Sequence, residues 1–220
     1  MRLALVITAA VTGMAASTAE AQTADRPERF YIRVGPGFVD FDEDAKVKIA
    51  GQPLAGANGT LSDNVTAGVE LGYFITPDIS VAATVGVPPT TKLTAAGTLA
   101  GAGTLGKVTY GPGVYTARYH FGRPRGVRPY IGGGFSWTII FGTKDGVLQD
   151  VKVENATGPA VTWGIDVPIN RKFGLFASGI KTWTSANSRF TLPTPGGSAP
   201  GTARLQLNPL ILYGGIQYRF

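Results

Sequence analysis

His120 is the only histidine among 220 residues and cysteine is absent, which rules out a multi-imidazole metal centre, a thiolate site and a disulfide framework. A serine two residues after that histidine, which would make a hydrolytic pair, is also missing, because the position holds Gly122. Asp42, Glu43 and Asp44 put three carboxylates in a row and could hold a divalent cation, although such runs are more often solvated charge. The near-repeat over residues 96–105 is glycine-rich but lacks the Lys-Ser/Thr ending of a phosphate cradle, so it reads as a mobile surface loop. The chemistry left is ionic. Glu70, Arg118, His120, Asp166 and Arg219 can act together only if the fold gathers them, and no catalytic residue, metal site or cofactor is expected.

The elements that must do the gathering begin after residue 21. Met1-Arg2, the apolar run over residues 3–16 and the ending Ala19-Glu20-Ala21 follow the order of a secretory signal peptide. The run is too short for a membrane helix, which needs about 20 apolar residues. Residues 1–21 are therefore read as a cleaved signal and 22–220 as one domain. Removing Arg2 and Glu20 leaves the net charge at +6. No basic run interleaved with aromatics accompanies that charge, so anionic lipid or lipopolysaccharide, rather than nucleic acid, is the expected partner.

With 31 Gly, 15 Pro and no 3.6-residue apolar period, the rest of the chain favours strands and turns. Over residues 64–75, Val65, Ala67, Val69, Leu71, Tyr73 and Ile75 alternate with Asn64, Thr66, Gly68, Glu70, Gly72 and Phe74, of which only Phe74 breaks the pattern. After Thr76-Pro77-Asp78, Ile79, Val81, Ala83, Val85 and Val87 alternate with Ser80, Ala82, Thr84 and Gly86. Residues 115–121 and 128–141 form a second hairpin. Residues 161–167 and 173–184 form a third, in which Ile180 and Lys181 compete for the interior. The segments 29–39 and 204–220 are left to pair with each other, which closes a barrel and removes both sheet edges.

Short turns alternate with long connections at 40–63, 88–107, 142–157 and 185–203, the asymmetry of bacterial barrels between periplasmic turns and surface loops. The expected fold is all-β: an eight-stranded antiparallel transmembrane barrel, up-and-down, with four long surface loops and apolar parity facing lipid. Trp137, Trp163, Trp183 and the tyrosines could be ligand contacts, but most read better as interfacial aromatics. The last segment ends on Phe220 with apolar residues at alternate positions, resembling the signal read by the barrel-assembly machinery, a second expected partner.

Ala117-Arg118-Tyr119-His120-Phe121-Gly122 and Arg128-Pro129-Tyr130-Ile131-Gly132-Gly133-Gly134 resemble two strand motifs of the OmpW family of outer-membrane barrels. Ile169-Asn170-Arg171 and the run from Gly215 to Phe220 are weaker echoes. The resemblance implies a narrow apolar lumen in the outer membrane of a Gram-negative bacterium. Such a lumen would admit small hydrophobic compounds passively from outside and release them sideways into the membrane. It also implies that Thr84 and Ile180 line the path, Thr84 weakening an apolar gate and Ile180 preserving it.

The parity gives an independent argument. Glu70, Arg118, His120, Asp166 and Arg219 point inward near periplasmic turns or the chain end, and charges in a narrow bore must pair. Such a cluster closes the periplasmic end to an apolar solute, which then leaves only through the wall. Gly111-Pro112-Gly113 is the expected weak point, with Pro159 a second candidate, because proline donates nothing to a ladder and glycine weakens strands. Both prolines could instead simply mark strand starts. A structural or adhesive barrel that conducts nothing is the competing class, distinguished by a filled lumen. Some outer-membrane barrels deacylate lipid A with a His-x-Ser pair, but Gly122 removes it, so no enzyme is expected.

Overall fold

The computed structural model describes residues 28–62, 64–123, 125–194 and 197–220, so the expected signal peptide, residues 1–21, lies outside the described residues. Two-residue alternation folds into eight long wall strands: β1 Phe30–Asp40, β2 Asn64–Phe74, β3 Ile79–Gly86, β4 Thr104–His120, β5 Arg128–Asp145, β6 Ala156–Pro168, β7 Phe173–Thr182 and β8 Leu210–Arg219. Each pairs antiparallel with its chain neighbours, and β1 pairs with β8 from Tyr31 opposite Arg219 to Asp40 opposite Leu210, which closes the barrel. The short turns are set locally. The Thr76 hydroxyl accepts from the backbone N–H of Asp78 and Ile79, and the Asn170 side-chain oxygen from those of Lys172 and Phe173.

Val65, Leu71, Val81, Ile131, Phe135, Leu175 and Ile216 all stand exposed on the outside of the wall. A continuous apolar band of this kind is untenable in water and natural in lipid. At the short-turn end the band finishes in a girdle where Phe30 meets Tyr73 and Phe220, Tyr218 meets Phe173 and Phe220, and Tyr119 meets Phe121. In β7 the competition for the interior resolves for Ile180, which is fully buried, while the Lys181 ammonium donates to the Asn208 carbonyl at 2.6 Å.

Three expectations about the far end need correction. The long connections are largely strands: Glu43–Ile49, Gln52–Pro53, Ala57–Leu61, Thr90–Gly97, Gln149–Val153, Ser185–Thr194 and Gly197–Leu207 extend the sheet beyond the apolar band. Residues 204–207 belong to this extension, pairing with Ser185–Thr194 and Glu43–Ile49, and the last wall strand begins only at Leu210, after Asn208-Pro209. Of the glycine-rich repeat, Ala96 and Gly97 pair with Asn58 and Ala57, and Gly97, Gly101 and Gly103 take positive φ in the turn that follows. The physical reason is a reversed alternation. Here Lys46, Lys152, Arg189 and Arg204 face out while Val47, Val151, Phe190 and Leu205 face in, because the outer face now meets water. Leu105, Leu148, Val151 and Phe190 form the core of this upper sheet. Glu43 and Asp44 of the acidic run start a strand, and their side chains are outside the described residues.

Candidate functional site

The parity places Arg33, Glu70, Arg118, His120, Arg128 and Asp166, contributed by five strands, inside the barrel near the short-turn end, where all are buried. Glu70 is the hub. Its carboxylate receives both terminal nitrogens of Arg118 at 2.6 and 2.7 Å, Arg33 at 3.0 Å, the Thr84 hydroxyl at 2.8 Å, and the Tyr213 hydroxyl. Arg33 also donates to Asp166, to Gln217 at 2.8 Å and to the Tyr130 hydroxyl at 3.2 Å. His120 shares a hydrogen bond with Ser80 at 2.8 Å, and its Nδ1 lies 3.3 Å from Asp166 Oδ2. The several donors on Glu70, and Arg33 on Asp166, are what make ionised groups tolerable in such a place.

Arg128 and Arg219 complete the layer on the rim side. Arg128 donates to Asp78 at 2.9 Å and to the Pro77 carbonyl at 2.8 Å, while Arg219 lies 3.9 Å from Asp166. Both guanidinium groups sit over the Phe74 ring, 5.6 and 5.3 Å from its centre, so the aromatic that breaks the alternation of β2 is an inward floor for cations. Gly72 and Gly164 make room for the layer, since a side chain at either would occupy the place of the Tyr31 or Tyr130 ring.

Above this layer Val114, Ala160, Phe176, Ile180 and Tyr213 pack as an apolar plug, with Ile211 against them. Thr84 and Ile180 therefore sit where the bore is filled: Thr84 holds Glu70, and Ile180 is the centre of the plug. Beyond the plug lie two stacked apolar cavities of about 50 and about 80 Å³, the second among the outer hairpins. Leu61, Val108, Val153 and Leu205 line both. Ile180→Ala is expected to lower stability by about 2–5 kcal/mol in urea unfolding. It should give no ion conductance in a planar bilayer, because the ionic layer beneath stays intact.

Beside the inner cavity the wall is incomplete. The β3–β4 ladder ends at Val85 opposite Gly113, and the next pair on that side of β4 is Thr90 opposite Thr109. Between them Pro88, Pro89 and Pro112 have no N–H to give, and the Tyr110 N–H donates to the Pro89 carbonyl at 3.3 Å. Pro112 lines the inner cavity, and the exposed Phe141 ring lies over Gly111 on the lipid side. Pro159 makes no such break, since it pairs opposite Phe135 and its carbonyl accepts from Trp183.

The structure thus brings together all five charges expected from the sequence and adds Arg33, Arg128, Gln217 and Tyr213. Their signal was the parity itself: Arg33 shares a face with Gly35 and Gly37 opposite Ile32 and Val34, and Arg128 shares one with Tyr130 and Gly132. Pro88-Pro89, the other lip of the gap, fell within what read as a loop.

A closed antiparallel barrel with a lipid-facing apolar band, an aromatic girdle and a buried ionic interior defines an outer-membrane β-barrel of eight strands. Its relatives agree on the location. The chain belongs to the OmpW family, whose model matches residues 28–220. It is 37% identical over 179 residues to the dibenzothiophene metabolism operon protein PahQ of Pseudomonas aeruginosa, covering 81% of this chain and 82% of that one. It is 29% identical to outer membrane protein W of Vibrio cholerae, covering 87% and 88%. The crystal structure of the outer membrane protein OprG from Pseudomonas aeruginosa superposes with a TM-score of 0.82 over 89% of this chain and 97% of that one, and at 20% identity it speaks for the fold. The protein resides in the outer membrane of a Gram-negative bacterium.

Proposed function

We propose that this barrel is a passive, non-catalytic conduit that takes small hydrophobic molecules from outside and releases them sideways into the outer membrane. One observation carries the reading: the apolar cavities end blind on the Ile180 plug and the ionic layer, while Pro112 belongs both to the inner cavity and to the unpaired stretch of wall. A solute that enters from the outer hairpins could pass below only by breaking the ion pairs of that layer, whereas beside it stands only a weakened ladder. The operon named for PahQ supports a planar, apolar aromatic as the cargo class. Contact with lipopolysaccharide and recognition of the β8 end at Phe220 by the assembly machinery belong to the same proposal. The filled level at Thr84 and Ile180 favours the competing reading of a structural or adhesive barrel, against which the wall gap weighs.

The test is entry of a fluorescent polycyclic aromatic into vesicles carrying the purified protein. Wild-type barrel should speed entry over empty vesicles. Replacing Pro88, Pro89 and Pro112 with Thr, Val and Val should slow it roughly tenfold, the effect of about 1.4 kcal/mol on a barrier. Equal rates for the wild type and empty vesicles would sink conduction, and equal rates for the wild type and the variant would sink the sideways exit.

A further inference from the structure

Strand register forces three lysines side by side on the outer surface: Lys92 stands opposite Lys107, and Lys107 opposite Lys144. Directly opposed side chains on one sheet face are roughly 5 Å apart, and like charges there are destabilising unless something neutralises them. All three are exposed, and among the described residues none has a carboxylate within 4.0 Å. The nearest acid along the chain, Asp145, is turned away and accepts from the Val151 N–H at 3.1 Å.

The height of the row identifies what it meets. A strand crosses the hydrocarbon in about 9–11 residues, and Lys107 precedes Tyr119 of the short-turn girdle by 12 positions. Just toward the membrane from the lysines, Val85, Val87, Ile139 and Phe141 are exposed to lipid. The row therefore stands at the headgroup level of the outer leaflet. The next row down is Thr90, Thr109 and Gly142, with the two hydroxyls 2.7 Å apart and open space where a side chain on Gly142 would be.

We propose that Lys92, Lys107 and Lys144 form a docking site for the phosphate groups of an outer-leaflet glycolipid, with Thr90, Thr109 and the Gly142 recess receiving its sugar. Three ammonium donors meet the phosphate oxygens and the acyl chains continue onto Val85, Val87 and Phe141. The site lies above the wall gap but does not depend on conduction. It goes beyond general contact with lipopolysaccharide by fixing the residues and the charged group.

The test is binding of diphosphoryl lipid A to the purified, folded barrel in a zwitterionic detergent, read by native mass spectrometry. Lys92→Gln/Lys107→Gln/Lys144→Gln should bind roughly a hundredfold more weakly, as expected for three cations at an anionic headgroup layer. Lys46→Gln/Lys48→Gln/Arg204→Gln, which removes equal charge from the hairpin sheet of Glu43–Ile49 and Gly197–Leu207, should bind like wild type. Dephosphorylated lipid A should bind wild type as weakly as the diphosphoryl lipid binds the triple variant. Equal loss in both triple variants would overturn the site as mere net charge. So would full binding by the dephosphorylated lipid, displacement by millimolar inorganic phosphate, or equally tight binding of an anionic polysaccharide without acyl chains. Conversion to the single Lys107→Glu supplies the same comparison should the triple variant not fold.

Discussion

Glu70→Gln is expected to destabilise the folded barrel by about 3–5 kcal/mol, the range for removing one partner of a buried ion pair. The amide keeps the shape of the side chain but removes the charge that holds Arg33 and Arg118, both of which are fully enclosed. Asp166 already receives Arg33 and faces His120, so no second carboxylate is free to take over. The amide nitrogen would also point a donor at hydroxyls that now donate, Thr84 and Tyr213. Urea unfolding from lipid vesicles, followed by tryptophan emission, measures the loss. A change within about 1 kcal/mol, the size typical of a solvated pair, would mean that water rather than Glu70 neutralises the two arginines. Pairing the change with Arg118→Met should recover part of the loss, since coupled partners are not additive.

Val108→Trp is expected to slow entry of an aromatic tracer into vesicles by roughly tenfold or more, again about 1.4 kcal/mol per decade on the barrier. Val108 faces both apolar cavities from β4, so an indole there occupies the neck between them. Neither the ionic layer nor the prolines of the wall gap are touched. Overpacking should lower stability by only about 1–3 kcal/mol, so the barrel still folds and the transport effect can be read separately. Unchanged tracer entry in a protein shown to be folded would place the route elsewhere.

How far the sequence foretold this molecule depends on which solvent each face meets. Where the outer face meets lipid, the alternation of Val65 to Tyr73 or Ile79 to Val85 is apolar-out, and the wall strands with their short turns were legible from it. Past the band the same period of two continues with its sense reversed, as in Lys46-Val47-Lys48-Ile49 and Arg189-Phe190. Read against a lipid template those stretches look like loops, and the outer strands and their cavity were missed for that reason. The ionic layer was half legible. Glu70, Arg118, His120, Asp166 and Arg219 follow from parity, and Arg33 and Arg128 obey the same rule. The family resemblance puts Thr84 on the path, whereas its bond to Glu70 runs between neighbouring strands, a relation that no single segment displays.

The seam between β1 and β8 sets an order of events for the newborn chain. Phe30 and Phe220 exchange backbone hydrogen bonds at 3.1 and 2.9 Å, and Arg33 reaches Gln217 across 184 positions. Until the last strand arrives, the other seven present two naked edges and a half-built nest of arginines, a species prone to pair with any strand it meets. Closure is therefore a late, cooperative act of high contact order and correspondingly slow.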